Sequence, residues 1–222
     1  MFQLIIFDWD GTLMDSTRKI TRCIQAAAQE MQLEVPSHDE AKWVIGLGLV
    51  EAMQALFPMV SKDVIGGVVE SYKKHYVELD DTEQPLFDDV IDGLSEMAQA
   101  GALLAVATGK SRVGLNRVLT QSGLGDAFVT TRCADESRTK PNPQMLIDIL
   151  DYTAIDAEHA LMVGDTTFDM EMATNASMPG LAVSYGAHPI EQLQSTQASD
   201  IVDSFKCAKE WIQQQGIAPA YL

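Results

Sequence analysis

Two aspartates, Asp8 and Asp10, follow directly after the short apolar run Leu4–Phe7. The β-branched and aromatic residues of this run predict a buried strand, which Gly11 ends because glycine adopts backbone angles that strands do not. Side chains two residues apart on a strand point to the same side, so we expect the two carboxylates to lie close together. At about 5 Å they would repel by about 3 kcal/mol at an effective dielectric of about 20, so the pair calls for a cation, a shared proton or both.

Further residues that could carry chemistry lie beyond later predicted strands: the polar Thr108, Lys140, Asp165 and Asp169, and Gly109 beside Thr108. The C-terminal ends of parallel strands share one edge of the sheet, and ligands bind at that edge in open α/β folds. Carboxylates are the oxygen ligands that Mg²⁺ takes, and one carboxylate can act as nucleophile while another serves as general acid and base. A hydroxyl and an ammonium can hold the equatorial phosphoryl oxygens. The set therefore suits phosphoryl transfer at a Mg²⁺ site.

The elements that must position these residues alternate along the chain. Strands are predicted at Leu4–Phe7, 103–107, 127–130, 160–163, Gly180–Val183 and Asp200–Val202, and helices at Val90–Gln99, 115–121 and 143–150. Asn142 is expected to cap the last of these helices, with Pro143 at its first helical position. Strands that alternate with helices predict an α/β fold, here a doubly wound parallel sheet with a Rossmann-like core.

Residues 16–81 are the exception, because they show helical periodicity but no convincing strand. The periodic stretches cover 20–31, 50–57 and 64–77. A helical block between the first and second strands indicates an inserted subdomain. We therefore predict a helical domain of residues 16–81 and a core of residues 1–15 and 82–222.

The composition limits the partners. The 222 residues include 32 acidic and 15 basic side chains, which gives a formal net charge of -17. This field repels nucleic acid and anionic membranes, so we expect neither as a partner. Three widely separated cysteines predict reduced thiols in a cytoplasmic protein, and neither a signal peptide nor a membrane span is predicted. The sequence leaves open whether the protein is a monomer or a homodimer.

Taken in order, these polar clusters resemble the four motifs of the haloacid-dehalogenase-like (HAD) superfamily. The matching residues are Asp8-x-Asp10-Gly11-Thr12, Thr108, Lys140-Pro141 and Gly164-Asp165-x-x-x-Asp169. The resemblance covers the whole chain, because the helical insertion looks like the C1 cap of the phosphoglycolate-phosphatase-like branch. It implies a Mg²⁺-dependent phosphatase that acts on a small phosphorylated metabolite beneath a helical cap.

The resemblance also implies roles in catalysis. Asp8 would be the nucleophile that forms an aspartyl-phosphate, and Asp10 would protonate the leaving alcohol and then activate water. Thr108, Gly109 and Lys140 would bind the phosphoryl group. Gly46 would belong to a cap loop that faces the substrate.

The metal ligands follow from the same resemblance. Mg²⁺ would bind the carboxylates of Asp8 and Asp165 and the main-chain carbonyl of Asp10. Asp169 would lie outside these ligands and hold either a metal-bound water or Lys140. Thr12 would hydrogen-bond to Asp10.

Several alternatives stay open on the sequence. Dehalogenases of the superfamily resemble D-x-Y-G-T in the first motif, so Asp10 argues against them. Mutases of the phosphoglucomutase type usually carry a cap histidine soon after that motif, and residues 15–20 contain none. A phosphosugar mutase, a pyrophosphatase and a non-enzymatic binding protein nevertheless remain as alternatives. Phosphoglycolate is a substrate suggested by the family only.

Overall fold

A six-stranded parallel sheet forms the centre of the protein, described here by a computed structural model that covers residues 1–220. The strands are β1 (Leu4–Phe7), β2 (Leu103–Thr108), β3 (Thr130–Cys133), β4 (Ala160–Gly164), β5 (Gly180–Val183) and β6 (Asp200–Val202). Their order in the sheet is β3-β2-β1-β4-β5-β6, and every neighbouring pair is parallel. The predicted α/β fold with a doubly wound parallel sheet is confirmed.

Strand β1 lies in the middle of the sheet, and all of its side chains are buried. Ile5 and Phe7 pack into one apolar cluster, while Leu4 and Ile6 pack into a second cluster on the opposite face. This alternation is the period of two that a strand imposes. In register, Phe7 pairs with both Val106 of β2 and Val163 of β4, so Asp8 emerges between the loops that follow those two strands.

The prediction of a strand at 127–130 is wrong by three residues, because β3 spans Thr130–Cys133. Gly125–Ala127 forms a short 3-10 turn, and the ring of Phe128 packs in the core edge-on to Trp9, with 6.3 Å between ring centroids. Because β3 is an edge strand whose first three residues are only partly buried, its polar sequence TTRC did not indicate a strand.

Between β1 and β2 the chain forms helices only, among the residues that the structure describes from 16 to 81. They are α1 (Thr17–Glu30), α2 (His38–Trp43), α3 (Leu49–Leu56) and α4 (Lys62–Lys74), and a π-helical turn, His75–Leu79, extends α4. Helix α2 begins at a capping box in which Ser37 and Glu40 bond each other's backbone N–H. We call residues 16–81 the helical insert. Its side chains bury an apolar cluster of their own, and its division from the core as a separate domain stays a prediction.

Six further helices pack on the sheet: α5 (Val90–Gln99), α6 (Arg112–Ser122), α7 (Gln144–Thr153), α8 (Thr167–Asn175), α9 (Ile190–Leu193) and α10 (Phe205–Gln215). The predicted position of Pro143 inside α7 is wrong by one residue, because the helix begins at Gln144. Asn142 does accept a hydrogen bond from the N–H of Gln144, at 3.1 Å. Within residues 1–220, none of the helices is long and apolar enough to cross a bilayer.

Candidate active site

Three buried aspartates and one buried lysine meet at the C-terminal edge of the sheet. One oxygen from each of Asp8, Asp165 and Asp169 lies within 4.8 Å of the others. Lys140 Nζ lies 2.9 Å from Asp8 Oδ1 and 2.7 Å from Asp169 Oδ1, and its side chain is 0% exposed. Loops from three separate strands thus bring a lysine and three carboxylates to one point.

Burial controls the ionisation of this cluster. Burial raises the pKa of Asp8 to about 7, although the nearby Lys140 opposes the rise. The pKa of Asp165 is raised well above its usual range by burial and then by the charges of Asp8 and Asp169. Burial alone would lower the pKa of Lys140, but Asp169 and Asp8 more than offset it, so that pKa is raised. Lys140 is therefore cationic, while Asp8 and Asp165 require further positive charge to be ionised together.

The donor set fits a divalent cation with oxygen ligands. If ionised, the three carboxylates and Lys140 sum to a charge of -2, from -3 and +1. Asp8 Oδ2 has no hydrogen-bond partner among residues 1–220, although it is fully buried. Burying an uncompensated carboxylate costs several kcal/mol. A hard cation such as Mg²⁺ would remove that cost at Asp8 and Asp165.

Asp169 contacts Thr166 with one carboxylate oxygen and Lys140 with the other. Its Oδ2 accepts hydrogen bonds from the backbone N–H of Thr166 at 3.0 Å and from the Thr166 hydroxyl at 2.6 Å, in the capping box that begins α8. Its other oxygen faces Lys140. Of the two roles expected for Asp169, the geometry therefore favours the one that holds Lys140.

The carboxylate of Asp165 lies in a space that two glycines leave open. A Cβ on Gly11 would lie 2.2 Å from Asp165 Oδ2, and Gly11 also has a φ of +79° that L-residues rarely adopt. A Cβ on Gly186 would lie 2.2 Å from the same oxygen. No side chain larger than hydrogen fits at either position unless Asp165 moves.

The expected hydrogen bond from Thr12 to Asp10 is wrong. The Thr12 hydroxyl donates to Asp165 Oδ1 at 2.8 Å instead. The turn after β1 closes with the N–H groups of Leu13 and Met14 on the carbonyl of Trp9, which directs Thr12 towards the loop after β4. Thr12 therefore positions a candidate metal ligand rather than the candidate acid.

Asp10 has its own partners, which sequence reasoning missed. Lys110 Nζ lies 2.9 Å from Asp10 Oδ1, and the Ser16 hydroxyl donates to the same oxygen at 2.5 Å. Burial would lower the pKa of Lys110, but Asp10 and Tyr76 raise it, so the side chain is cationic. Lys110 stands beside the predicted Thr108 and Gly109, and this adjacency was the one available signal.

Thr108, Gly109 and Gly46 lie together where the helical insert meets the core. Thr108 is buried, and its hydroxyl accepts a hydrogen bond from the N–H of Lys110 at 3.3 Å. A Cβ on Gly109 would lie 2.6 Å from the carbonyl oxygen of Gly46, so the insert backbone packs directly on this residue. The N–H of Gly48 donates to the Thr139 hydroxyl at 2.7 Å. The structure thus brings Gly46 to the edge of the cluster.

Three cationic side chains surround the ring of Tyr76, near Asp10. Lys110 Nζ lies 3.3 Å from the Tyr76 hydroxyl. Around the same ring, Lys19 Nζ lies 5.3 Å, Lys110 Nζ 5.2 Å and the Arg117 guanidinium carbon 5.3 Å from the centroid. These distances allow cation–π attraction. These three cations lie together although the chain has a net charge of -17, and no local sequence pattern predicted the cluster.

Comparisons with known proteins identify the family of this chain. The family model described as haloacid dehalogenase-like hydrolase matches residues 5–183. The chain is 32% identical over 209 residues to "Probable phosphatase IndB" of Dickeya dadantii, covering 92% of this chain and 91% of that protein. It is 30% identical over 212 residues to the phosphoglycolate phosphatase of Aliivibrio fischeri, covering 92% and 93% respectively.

A solved structure supports the fold independently. The crystal structure of a hydrolase from Pseudomonas syringae superposes with a TM-score of 0.88 and covers 96% of this chain and 99% of its own. At 17% sequence identity this likeness shows the fold alone. The family match, by contrast, spans most of the sequence and includes the segments that carry Asp8, Lys140 and Asp169. The chain therefore belongs to the haloacid dehalogenase-like hydrolase family.

Proposed function

We propose that this chain is a Mg²⁺-dependent phosphatase that hydrolyses a small phosphomonoester through an aspartyl-phosphate on Asp8. The single observation that carries the proposal is the environment of the Asp8 carboxylate. Its carboxylate is buried, one oxygen is held against Lys140, and the other has no partner within residues 1–220. Similarity to proteins named as phosphatases supports the reaction class.

In the first half-reaction, Asp8 Oδ2 attacks phosphorus and the bond from phosphorus to the ester oxygen breaks. Asp10 gives its proton to that leaving oxygen and becomes a carboxylate. Lys140 places a fixed positive charge beside the reacting phosphoryl oxygens, where negative charge spreads in the transition state. The Thr108 hydroxyl and the backbone of Gly109 lie at the same edge and complete the phosphoryl-binding set.

In the second half-reaction, Asp10 takes a proton from a water molecule as the water oxygen bonds to phosphorus. The bond between phosphorus and Asp8 then breaks, which releases inorganic phosphate and restores the Asp8 carboxylate. Ser16 and Lys110 hold Asp10 in place through both steps. Asp10 thus ends each cycle protonated, ready for the next leaving group.

Asp8, Asp165 and the main-chain carbonyl of Asp10 would hold Mg²⁺. When bound, the ion supplies positive charge that keeps Asp8 ionised and that neutralises the phosphoryl oxygens. Thr12 and the N–H of Ala187 fix the two oxygens of Asp165, at 2.8 Å and 2.6 Å.

The cations around Tyr76 favour a leaving group that carries a second negative charge. The ester oxygen must reach Asp10, and Lys110 lies 2.9 Å from that carboxylate. Arg117 makes no hydrogen bond or ion pair with another side chain among residues 1–220, so its guanidinium is free to meet an anion. A carboxylate or a second phosphate on the leaving group would bind there, and phosphoglycolate is the simplest compound of this kind.

A phosphate-release assay across phosphorylated metabolites tests the proposal. We expect release that depends on Mg²⁺, that stops in EDTA, and that is abolished in Asp8→Asn. Phosphate should be released faster from phosphoglycolate than from ethyl phosphate, whose leaving group is neutral. No release from any compound would refute the phosphatase, isomerised sugar phosphate with little free phosphate would indicate a mutase, and release mainly from inorganic pyrophosphate would indicate a pyrophosphatase.

A further inference from the structure

The loop after β5 contacts the candidate metal site and the helical insert at the same time. Ala187 donates its N–H to Asp165 Oδ2 at 2.6 Å, while its side chain packs into the apolar cluster of the insert. Tyr185 donates its hydroxyl to the carbonyl of Thr12 at 2.8 Å. A displacement of the insert would therefore also displace the residues that hold Asp165.

His188, the next residue, joins two helix ends through its imidazole. Its Nδ1 accepts a hydrogen bond from the N–H of Thr167, the first residue of α8, at 3.1 Å. Its Nε2 lies 2.9 Å from the carbonyl oxygen of Trp43, the last residue of α2. A backbone N–H can only donate and a carbonyl can only accept, so one neutral tautomer with the hydrogen on Nε2 satisfies both. Both backbone groups lie at helix ends, where intrahelical partners are lacking.

The same imidazole stacks on the insert. The rings of His188 and Trp43 are nearly parallel, with 4.2 Å between centroids and 3° between planes. Phe168 of α8 contacts the His188 ring edge-on, with 5.2 Å between centroids. His188 is 1% exposed, so its imidazole makes these contacts away from solvent. The helical insert is thereby fastened to the helix that carries Asp169.

Trp43 lies three residues before Gly46, in the segment that packs on the core loops. Release of Trp43 would free residues 44–48, including the N–H of Gly48 that bonds Thr139. We propose that His188 is a positioning residue that latches the helical insert over Asp8, and that Ala187 couples this closure to Asp165. Closure matters for catalysis because it excludes water from the reacting groups. The inference rests on the proposed function only for its effect on turnover.

Hydrogen exchange measured by mass spectrometry tests the latch without any substrate. In His188→Asn, the shorter amide can still accept from Thr167, but it has no ring to stack and does not reach Trp43. We expect exchange in residues 44–48 to accelerate about tenfold, while strands β1 and β4 keep their protection. His159→Asn is the matched control, because His159 is exposed in the short 3-10 turn before β4 and lies outside the insert.

A second variant separates the two contacts, and also serves if His188→Asn does not fold. Trp43→Leu keeps the backbone carbonyl and loses only the stack, so a smaller acceleration in the same segment is expected. The latch is overturned if exchange in 44–48 equals that of wild type, or if it rises equally in the insert and the sheet. Because exchange requires no activity, a missing phosphatase activity would leave this result standing, and normal exchange in an active enzyme would reject the latch alone.

Discussion

Replacing Asp8 with asparagine should make the metal-free protein more resistant to unfolding at neutral pH, although it removes the nucleophile. Burial raises the pKa of Asp8 from its ordinary 3.8 to about 7 in the folded protein. A raised carboxyl pKa means that the folded state binds more protons than the unfolded state between these values. The stability that Asp8 contributes is therefore fully present below pH 3.8 and is lost as the pH rises through about 7.

The size of this effect follows from the same shift. The rise from 3.8 to about 7 corresponds to about 4 kcal/mol of unfolding free energy once Asp8 is ionised. Urea unfolding from pH 4.5 to 8 in EDTA should show wild type losing stability with rising pH, and Asp8→Asn losing much less.

Mg²⁺ should remove most of the difference in pH-dependent stability between wild type and Asp8→Asn, because the cation compensates the ionised carboxylate. Wild type should gain stability from Mg²⁺ at pH 8, and Asp8→Asn should gain less. Asp151→Asn is the matched control, since Asp151 is exposed on α7 outside the cluster. Equal pH slopes for wild type and Asp8→Asn in EDTA would refute the claim that Asp8 is a buried carboxylate in need of a cation.

Three further substitutions probe the neighbours of this carboxylate. Thr12→Val removes the hydrogen bond to Asp165 and should weaken Mg²⁺ binding about tenfold by calorimetry, and an unchanged Kd would contradict that role. Gly186→Ala places a Cβ 2.2 Å from Asp165 Oδ2 and should weaken binding further, so an alanine variant with wild-type affinity would show that the close approach is wrong. Arg117→Gln should raise KM for phosphoglycolate about tenfold while ethyl phosphate turnover stays constant, and an equal change for both would reject an anion contact.

The sequence predicted the bounds of four elements correctly, namely the fully buried strands Leu4–Phe7 and Gly180–Val183, the edge strand Asp200–Val202 and the amphipathic helix Val90–Gln99. Leu4–Phe7 and Gly180–Val183 consist of apolar residues from end to end, so their bounds were predicted correctly. Strand β3 lies at an edge of the sheet and is only partly buried, so its composition carried little signal. The helices of the insert followed from periodicity, except the six-residue α2, which is too short to show one.

Contacts between distant residues explain most of what was missed at the site. A hydroxyl two residues from a carboxylate suggests a local bond, yet Thr12 bonds Asp165, which lies 153 positions further along the chain. Lys110 reaches Asp10 because β1 and β2 are neighbours in the sheet, which the residue types do not reveal. His188 lies in a loop without a motif, and its role follows from the two helix ends that it joins.

Reductive trapping of the intermediate would detect nucleophilic catalysis by Asp8 itself. Borohydride reduces an acyl phosphate to an alcohol, so treatment during turnover with Mg²⁺ and phosphoglycolate should convert Asp8 to homoserine. Mass spectrometry of the peptide that contains Asp8 would detect the change, and the sample without substrate should lack it. Homoserine at position 8 is the predicted result, whereas an unmodified Asp8 during rapid turnover, or a reduced residue elsewhere in the chain, would contradict nucleophilic catalysis by Asp8.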